Sequence, residues 1–173
     1  TATSGDAYGA TWTTNDVIGV AIDMTNGGDM WFAKNNTWQS SATASEIAAG
    51  TTTNAALANV LTSNYDGSGL FVSIGDSSAA GTGTLRFDSG SWSYSAPTGF
   101  GELTQTVTGV GNWNTISTLF TREQGSFSSP AGSITLSNGA TTVAFAHSGT
   151  NPICASTVPL MPGGKYHFEF FIS

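Results

Sequence analysis

The last ten residues of the chain, 164–173, contain the pattern that most constrains the fold. Large apolar residues alternate there with a second, more polar set, and this spacing predicts a β-strand because successive side chains of a strand point to opposite faces. One face would carry Tyr166, Phe168, Phe170 and Ile172, and the other His167, Glu169, Phe171 and Ser173. An aromatic strand must be paired, or it becomes an open template for another chain. We therefore predict an assembly strand formed by Tyr166, Phe168, Phe170, Phe171 and Ile172.

The rest of the chain predicts short strands separated by turns. Residues 17–22 form a β-branched apolar run that is typical of a strand buried on both faces, and Asn26-Gly27-Gly28 then supplies the positive φ values of a tight hairpin. Residues 39–54 have no helical periodicity and are predicted as a loop, and 55–61 as one helical turn or a short strand. Further strands are predicted at 29–33, 70–74, 84–87, 133–136, 141–145 and 153–158. This spacing predicts an all-β fold, an antiparallel two-sheet β-sandwich.

Composition narrows the choice of partners. The 173 residues include four Lys and Arg against eleven Asp and Glu, giving a net charge of −7, and only 9% of residues are charged. A phosphate-tracking surface needs clustered Lys and Arg, so nucleic acid and anionic membranes are poor partners. The longest apolar runs fall well short of 18 residues, so we expect no membrane insertion. Cys154 is the only cysteine, which excludes an intrachain disulfide. The surface rich in Gly, Ser and Thr indicates an extracellular or virion location.

Four segments of residues 1–100, at 15–23, 30–35, 70–74 and 86–100, resemble motifs of the SPRY family in the same order. Residues 15–23 (NDVIGVAID) resemble its "GDVIGVALD" strand, 30–35 (MWFAKN) its "LTFYKNG" return strand, and 70–74 its "YPAVSL" strand. Residues 86–100 resemble its closing "NFGQRPFAYTPPTGF" segment, with Arg86, Asp88 and Ala96 departing from it. The resemblance implies a concanavalin-like jelly roll, in the variety found in phage tail and virion proteins.

The family's first half comes last in this chain. Residues 134–143 resemble its opening "LSNGNLTVT" hairpin, and 163–169 (GGKYHFE) resemble its "SGKYYFEV" strand. We therefore divide the chain into a second half (1–104), a connecting segment (105–132) and first-half strands (133–173). Three explanations fit this order: a circular permutant closed within one chain, one frame of a tandem repeat, or a subunit whose terminal strands complete a neighbouring copy. The start at Thr1 favours a processed product or an excised unit.

Catalytic and metal sites find little support in the sequence. Glycosidases of this fold need two carboxylates flanking the scissile bond, whereas Glu169 stands alone on its strand, and so we predict no enzymatic activity. The Asn64-x-Asp66-x-Ser68 spacing opens a calcium loop but lacks the closing Glu, and Asp23 and Asp29 are predicted as solvated turn carboxylates rather than a calcium site. His147 and His167 lack the spacing of zinc ligands. We predict no metal and no cofactor.

Aromatic residues in or near the predicted loops provide the second functional hypothesis. Trp12, Trp38 and Tyr65 are candidates for stacking on sugars or anchoring a partner, although such residues more often cap a core. Asn35-Asn36-Thr37 is a glycosylation sequon that we interpret as incidental. The sequence thus favours a structural and adhesive subunit of a virion appendage or extracellular fibre, joined head to tail with copies of itself. The alternative is a recognition module that binds a host-surface glycan or protein through its loops.

Overall fold

The computed structural model of this chain describes residues 8–25, 27–59, 70–75, 81–103, 120–123, 133–137, 142–146, 153–160 and 163–173. Strands dominate these ranges, and their bounds are β1 (Val17–Asp23), β2 (Asp29–Lys34), β3 (Thr37–Trp38), β4 (Leu70–Gly75), β5 (Gly81–Arg86), β6 (Gly101–Glu102), β7 (Phe120–Glu123), β8 (Ser133–Ser137), β9 (Thr142–Ala146), β10 (Ile153–Leu160) and β11 (Lys165–Ile172). One short helix, α1 (Ala44–Ala49), precedes a 3-10 turn at Thr52–Asn54. Of the helices described, none has the length and apolar character needed to cross a membrane.

The strands form two sheets, and this confirms the predicted all-β class. The larger sheet has the order β3-β2-β1-β11-β5-β9-β8, and its neighbours in that order are antiparallel. The short β6 lies parallel to β11, next to Tyr166 and His167. The smaller sheet has the order β4-β10-β7 and is also antiparallel, with a register shift in β10 between Ala155 and Pro159.

Strand β1 is buried along its whole length, as its apolar run predicts. It lies between β2 and β11 in the larger sheet. The β1–β2 hairpin confirms the turn predicted from Asn-Gly-Gly, because Gly27 and Gly28 have φ of 87° and 86°. Side chains other than Asn and Asp rarely adopt such values, so the glycines permit the tight connection that places Asp23 opposite Asp29.

Different segments of the chain cover the two faces of the larger sheet. The face that carries Val20 and Phe168, here called the core face, packs against Leu160 of β10 and Val72 of β4. The opposite face carries Ala21 and Trp31 and is covered by α1 and the loop that contains Phe100, so we call it the helix face. Alternate residues of β1, β2 and β11 therefore face two distinct buried layers.

Helix α1 corrects the prediction of a loop at residues 39–54. Thr43 Oγ1 accepts the Glu46 N–H at 3.2 Å, while Glu46 Oε2 accepts the Thr43 N–H at 2.8 Å, forming a reciprocal capping box. The helix ends at Gly50, whose φ is 71°, and it places Ile47 against the helix face of the sheet. In the following segment, Leu57 makes a single antiparallel bridge to Met30.

The two halves of the chain meet in the larger sheet. Strand β11 pairs with β1 at seven consecutive positions, from Val17↔Phe171 to Asp23↔Lys165, and with β5 at four. Strand β7, which lies in the segment predicted as a connection, pairs with β10. In this single chain the last strand thus supplies the centre of a sheet whose other strands come from both halves.

Candidate functional site

The predicted assembly strand corresponds to β11, and its two faces enter the two buried layers of the molecule. Phe168 is buried in the cluster on the core face, with Tyr166 and Phe170 packed against that cluster. Phe171 lies on the helix face, where the Arg86 guanidinium is 5.4 Å from the centre of its ring. Ile172 is half-buried, and its N–H donates to the Asp16 carbonyl at 3.0 Å.

The Glu169 side chain of β11 is held by donors from β5 and from the segment that follows it. Its carboxylate is fully buried and accepts the backbone N–H of Ser93 at 2.6 Å and that of Tyr94 at 2.9 Å. The Arg86 guanidinium lies 3.5 Å from Oε2 and also donates to the Ser93 hydroxyl. Because a buried carboxylate needs donors to replace its hydration, these contacts hold the segment after β5 against the helix face. The sequence placed Glu169 on this face but did not identify its partners.

An ion pair between half-buried Lys165 and buried Asp23 links the start of β11 to the end of β1. The Lys165 ammonium lies 2.8 Å from Asp23 Oδ2, donates to the Ala48 carbonyl at 3.2 Å and sits 5.4 Å from the centre of the Phe100 ring. Asp23 Oδ1 accepts the N–H and hydroxyl of Thr25. Burial acts to raise the pKa of Asp23, but Lys165 and Thr25 outweigh it and hold the pKa below its ordinary value.

Asp29 lies opposite Asp23 and has a different environment. Its Oδ1 accepts the Asn59 N–H at 2.9 Å, whereas Oδ2 is buried without a hydrogen-bond partner among the described residues. Burial, and to a lesser degree the Asp23 charge, raise the pKa of Asp29, partly offset by the Asn59 N–H. The prediction that Asp23 and Asp29 are solvated turn carboxylates is therefore wrong: their exposures are 1% and 0%. The segment ending at Asn59 packs against Gly27 and Asp29, whereas Lys165 lies against Asp23.

The part of the chain that the structure describes contains no cluster of side chains that could bind a metal ion. No group of three or more His, Cys, Asp or Glu residues lies close enough to hold an ion there. Asp66, the carboxylate of the partial calcium motif, falls outside the described residues. At the Asp23–Asp29 pair, the Lys165 ammonium already supplies the positive charge that a cation would bring.

His167 lies beside Glu169 on the helix face and is buried as a neutral side chain. Its ring meets the Trp92 ring edge to face with centroids 4.7 Å apart, and the Trp38 ring lies 6.4 Å away. Within the described ranges, neither ring nitrogen has a hydrogen-bond partner of acceptable geometry. Burial lowers the pKa of His167 to about 4, and the nearby Val20 carbonyl only partly offsets that effect.

The structure separates two of the three predicted ligand-binding aromatics. Trp12 packs against Phe32 and Phe170 on the core face, with centroid distances of 5.9 and 5.6 Å. Trp38 packs on the helix face with the cluster that contains Trp31. Trp31 and Phe32 are neighbours in β2 and point to opposite faces, so Trp12 and Trp38 do not share one site. Tyr65 lies outside the described residues.

Trp12 retains the greater access to solvent. It is 40% exposed, and among the described residues it is the one exposed large apolar side chain. The preceding segment is held in place, since the Tyr8 hydroxyl donates to the Asn54 carbonyl at 2.7 Å and the Ala10 N–H to Gln39 Oε1 at 2.8 Å. Trp12 therefore combines a core-capping contact with an accessible ring.

Comparisons with known proteins add no relative: no family model, curated protein or solved structure matches this chain. The chemistry of the site therefore rests on its geometry. The buried carboxylates Asp23 and Glu169 are engaged by donors from distant segments, and His167 is held neutral between aromatic rings. These contacts fasten β11 and the covering loops together, which is a structural role for the most buried polar groups of the fold.

Proposed function

We propose that this protein is a non-enzymatic structural and adhesive subunit of a virion appendage or extracellular fibre. Its copies join head to tail by exchanging the strands of residues 133–173. The observation that carries the proposal is the position of β11, which lies at the centre of the larger sheet and pairs on both sides with strands from the other half of the chain, β1 and β5.

The two-sheet jelly roll of the SPRY type is part of the same proposal. It is supported by the contact of Leu160 and Val72, from the smaller sheet, with the core face of the larger one. The second support is the set of segments that resemble SPRY motifs in permuted order. In such a sandwich the first-half strands are interchangeable between identical copies, because the same residues meet in the same register.

Pairing of β11 with a neighbouring copy has about the same contact free energy as pairing within one chain. Leaving β11 unpaired would open β1 and β5 and expose Phe168, whose burial alone is worth about 1.5–3 kcal/mol. A copy without its own β11 therefore gains as much from the β11 of a neighbour as from its own. Chain connectivity and concentration then decide between monomer and polymer.

A cross-strand disulfide distinguishes the two arrangements. The Ile172 N–H donates to the Asp16 carbonyl, so the next pair, Val17 and Phe171, is of the closely spaced type with Cα atoms about 4.5 Å apart, which a disulfide can bridge. In a Cys154→Ala background, the double variant Val17→Cys and Phe171→Cys is oxidised after assembly. On a non-reducing gel the proposal predicts a ladder of covalent oligomers, with fibres visible by electron microscopy.

The single variant Val17→Cys in the same background is the control, because it can form dimers at most. If the double variant yields one fast-migrating monomer with an internal disulfide at every concentration, strand exchange is wrong and the chain is a self-contained permutant.

A second candidate function, recognition of a host-surface glycan, is favoured by the accessible ring of Trp12. Its contacts with Phe32 and Phe170 fix the indole before any ligand arrives, and a fixed aromatic ring is a low-entropy platform for a sugar. The partner in this case is a neutral or weakly charged glycan, since the chain carries a net charge of −7.

A glycan array with the full chain tests this second function. Binding that is lost in Trp12→Ala and retained in Trp38→Ala assigns the site to the core-face side, and the reverse result assigns it to the helix face. Tyr65→Ala completes the set of candidates. An array without signal for the unmodified chain rejects glycan recognition and leaves the structural role.

A further inference from the structure

We propose that β8 is a self-pairing edge, through which two copies of this chain join their larger sheets with identical strands side by side. The inference concerns a contact different from the exchange of β11, and it does not depend on that exchange.

Strand β8 ends the larger sheet. It pairs with β9 on one side, and no other described strand pairs with its outer side. The backbone groups on the outer side of an edge strand are a template for another strand, and proteins usually protect them with charges, proline, a bulge or a very short strand.

The two ends of the larger sheet differ in this respect. At the far end, β3 has two residues and is followed by Ser40 and Ser41 with φ of 53° and 64°, which end the extended backbone. In contrast, β8 has five residues, Ser-Ile-Thr-Leu-Ser, with no charge, proline or glycine. Its register with β9 runs without a shift from Ser133↔Ala146 to Ser137↔Thr142. The usual protective devices are therefore missing from the strand itself.

The sequence of β8 is self-complementary. When two copies are placed antiparallel about a two-fold axis at Thr135, Ser133 lies opposite Ser137, Ile134 opposite Leu136, and Thr135 opposite itself. Pairs of hydroxyl residues and pairs of aliphatic residues are both favourable across strands. Within the same sheet, Thr84 and Thr142 already form such a hydroxyl pair, with their Oγ1 atoms 3.2 Å apart.

A second copy is the occupant that this symmetry selects. The two-fold contact uses the same patch on both subunits and closes after two, so it produces a dimer with one continuous sheet. Because β8 is uncharged, the pairing brings no like charges face to face at the strand, although each chain carries a net charge of −7.

The main test places charges of opposite sign at Thr135, the residue on the two-fold axis. The full chain, with Cys154→Ser to remove the free thiol, is compared with Thr135→Lys and Thr135→Glu by size exclusion with light scattering. The three chains are compared at a concentration at which the double variant Val17→Cys and Phe171→Cys forms no covalent ladder, so that strand exchange is absent. Under this condition the unmodified chain is expected to give a particle of twice the 17.7 kDa chain mass. Either variant alone should be monomeric, because two like charges would lie about 5 Å apart, and an equimolar mixture should recover the dimer.

Thr37→Lys is the matched control, because Thr37 is an exposed threonine on the opposite edge strand and should leave the dimer unchanged. An independent readout is Thr135→Cys in the Cys154→Ser background, which should form a symmetric interchain disulfide on mild oxidation. A monomeric unmodified chain overturns the proposal, as does a mixture of the Lys and Glu variants that stays monomeric. If strand exchange alone is wrong, the double variant Val17→Cys and Phe171→Cys forms no ladder of covalent oligomers, and the β8 dimer is unaffected.

Discussion

The carboxylate of Glu169 accepts the backbone N–H of Ser93 at 2.6 Å, although 76 residues separate the two in the chain. The N–H of Tyr94 is bound in the same way at 2.9 Å. Strand β11 thus carries a buried anionic acceptor that binds two backbone donors of the loop after β5.

Replacing Glu169 tests this anchor. Glu169→Gln keeps one oxygen but places an amide N–H₂ against a backbone donor, so we expect a loss of about 2–3 kcal/mol in the free energy of unfolding. Urea denaturation followed by tryptophan fluorescence measures the loss. Glu102→Gln is the control, because Glu102 accepts the Ser89 N–H at 2.8 Å in a more exposed setting and its replacement should cost less than about 1 kcal/mol. Equal losses in the two variants would show that burial of Glu169 adds nothing.

Replacing the two facing aspartates by asparagine is expected to change the stability of the protein in opposite directions. Asp23→Asn leaves the Lys165 ammonium without its carboxylate and should destabilise the protein by about 1–3 kcal/mol at pH 7. Asp29→Asn keeps the oxygen that accepts the Asn59 N–H and removes a poorly compensated buried charge, so the protein should be equally stable or more stable.

The pH dependence sharpens this comparison. The pKa of Asp29 is raised in the folded protein, so the stability that its bound proton contributes is present at low pH and lost as pH rises through that pKa. The advantage of Asp29→Asn over the parent should therefore grow from pH 4 towards pH 7. An advantage that shrinks over this range would contradict the assignment.

The local sequence pattern was sufficient to predict β1 and β11, because the residues that determine their burial and facing lie within the strands themselves. The β-branched run predicted a buried centre, and the alternation in residues 165–172 predicted which side chains share a face. Helix α1 was missed because six residues are too few to show a helical period. Its signal is the capping box of Thr43 and Glu46, whose Thr-x-x-Glu spacing is visible in the sequence.

The candidate site was less predictable because its partners are distant in sequence. Asp29 looks like an exposed turn residue until the segment ending at Asn59, 30 residues later, covers it. Likewise, nothing near Glu169 indicates that its donors come from Ser93 and Tyr94. Burial of a polar residue is a tertiary property, and short-range patterns carry little information about it.

Acid should destabilise the fold through His167. The folded pKa of about 4 lies below the value of about 6.5 expected in the unfolded chain, so the folded state binds fewer protons between these values. The contribution of the neutral ring is complete above pH 6.5 and falls as pH decreases towards 4, by about 3 kcal/mol in total. His167→Phe preserves an aromatic ring beside Trp38 and Trp92 and removes the titration. The difference in unfolding free energy between parent and variant should therefore change by about 2 kcal/mol from pH 7 to pH 5. A pH-independent difference would rule out His167 as the cause.

Asn35 provides the last prediction, because its amide accepts from one group and donates to another, and a carboxylate could only accept. Its Oδ1 accepts the Val17 N–H at 2.9 Å, and its Nδ2 donates to Asp16 Oδ1 at 2.8 Å. Lys34 first, then Thr13 and Asn35, hold the pKa of Asp16 well below its ordinary range against the opposing effect of burial. Asn35→Asp replaces the donor with a second anion, so the urea midpoint should fall at pH 7 and partly recover as pH decreases, because protonation removes the repulsion. Asn36→Asp is the control: Asn36 is also exposed with positive φ, and its variant should show neither effect.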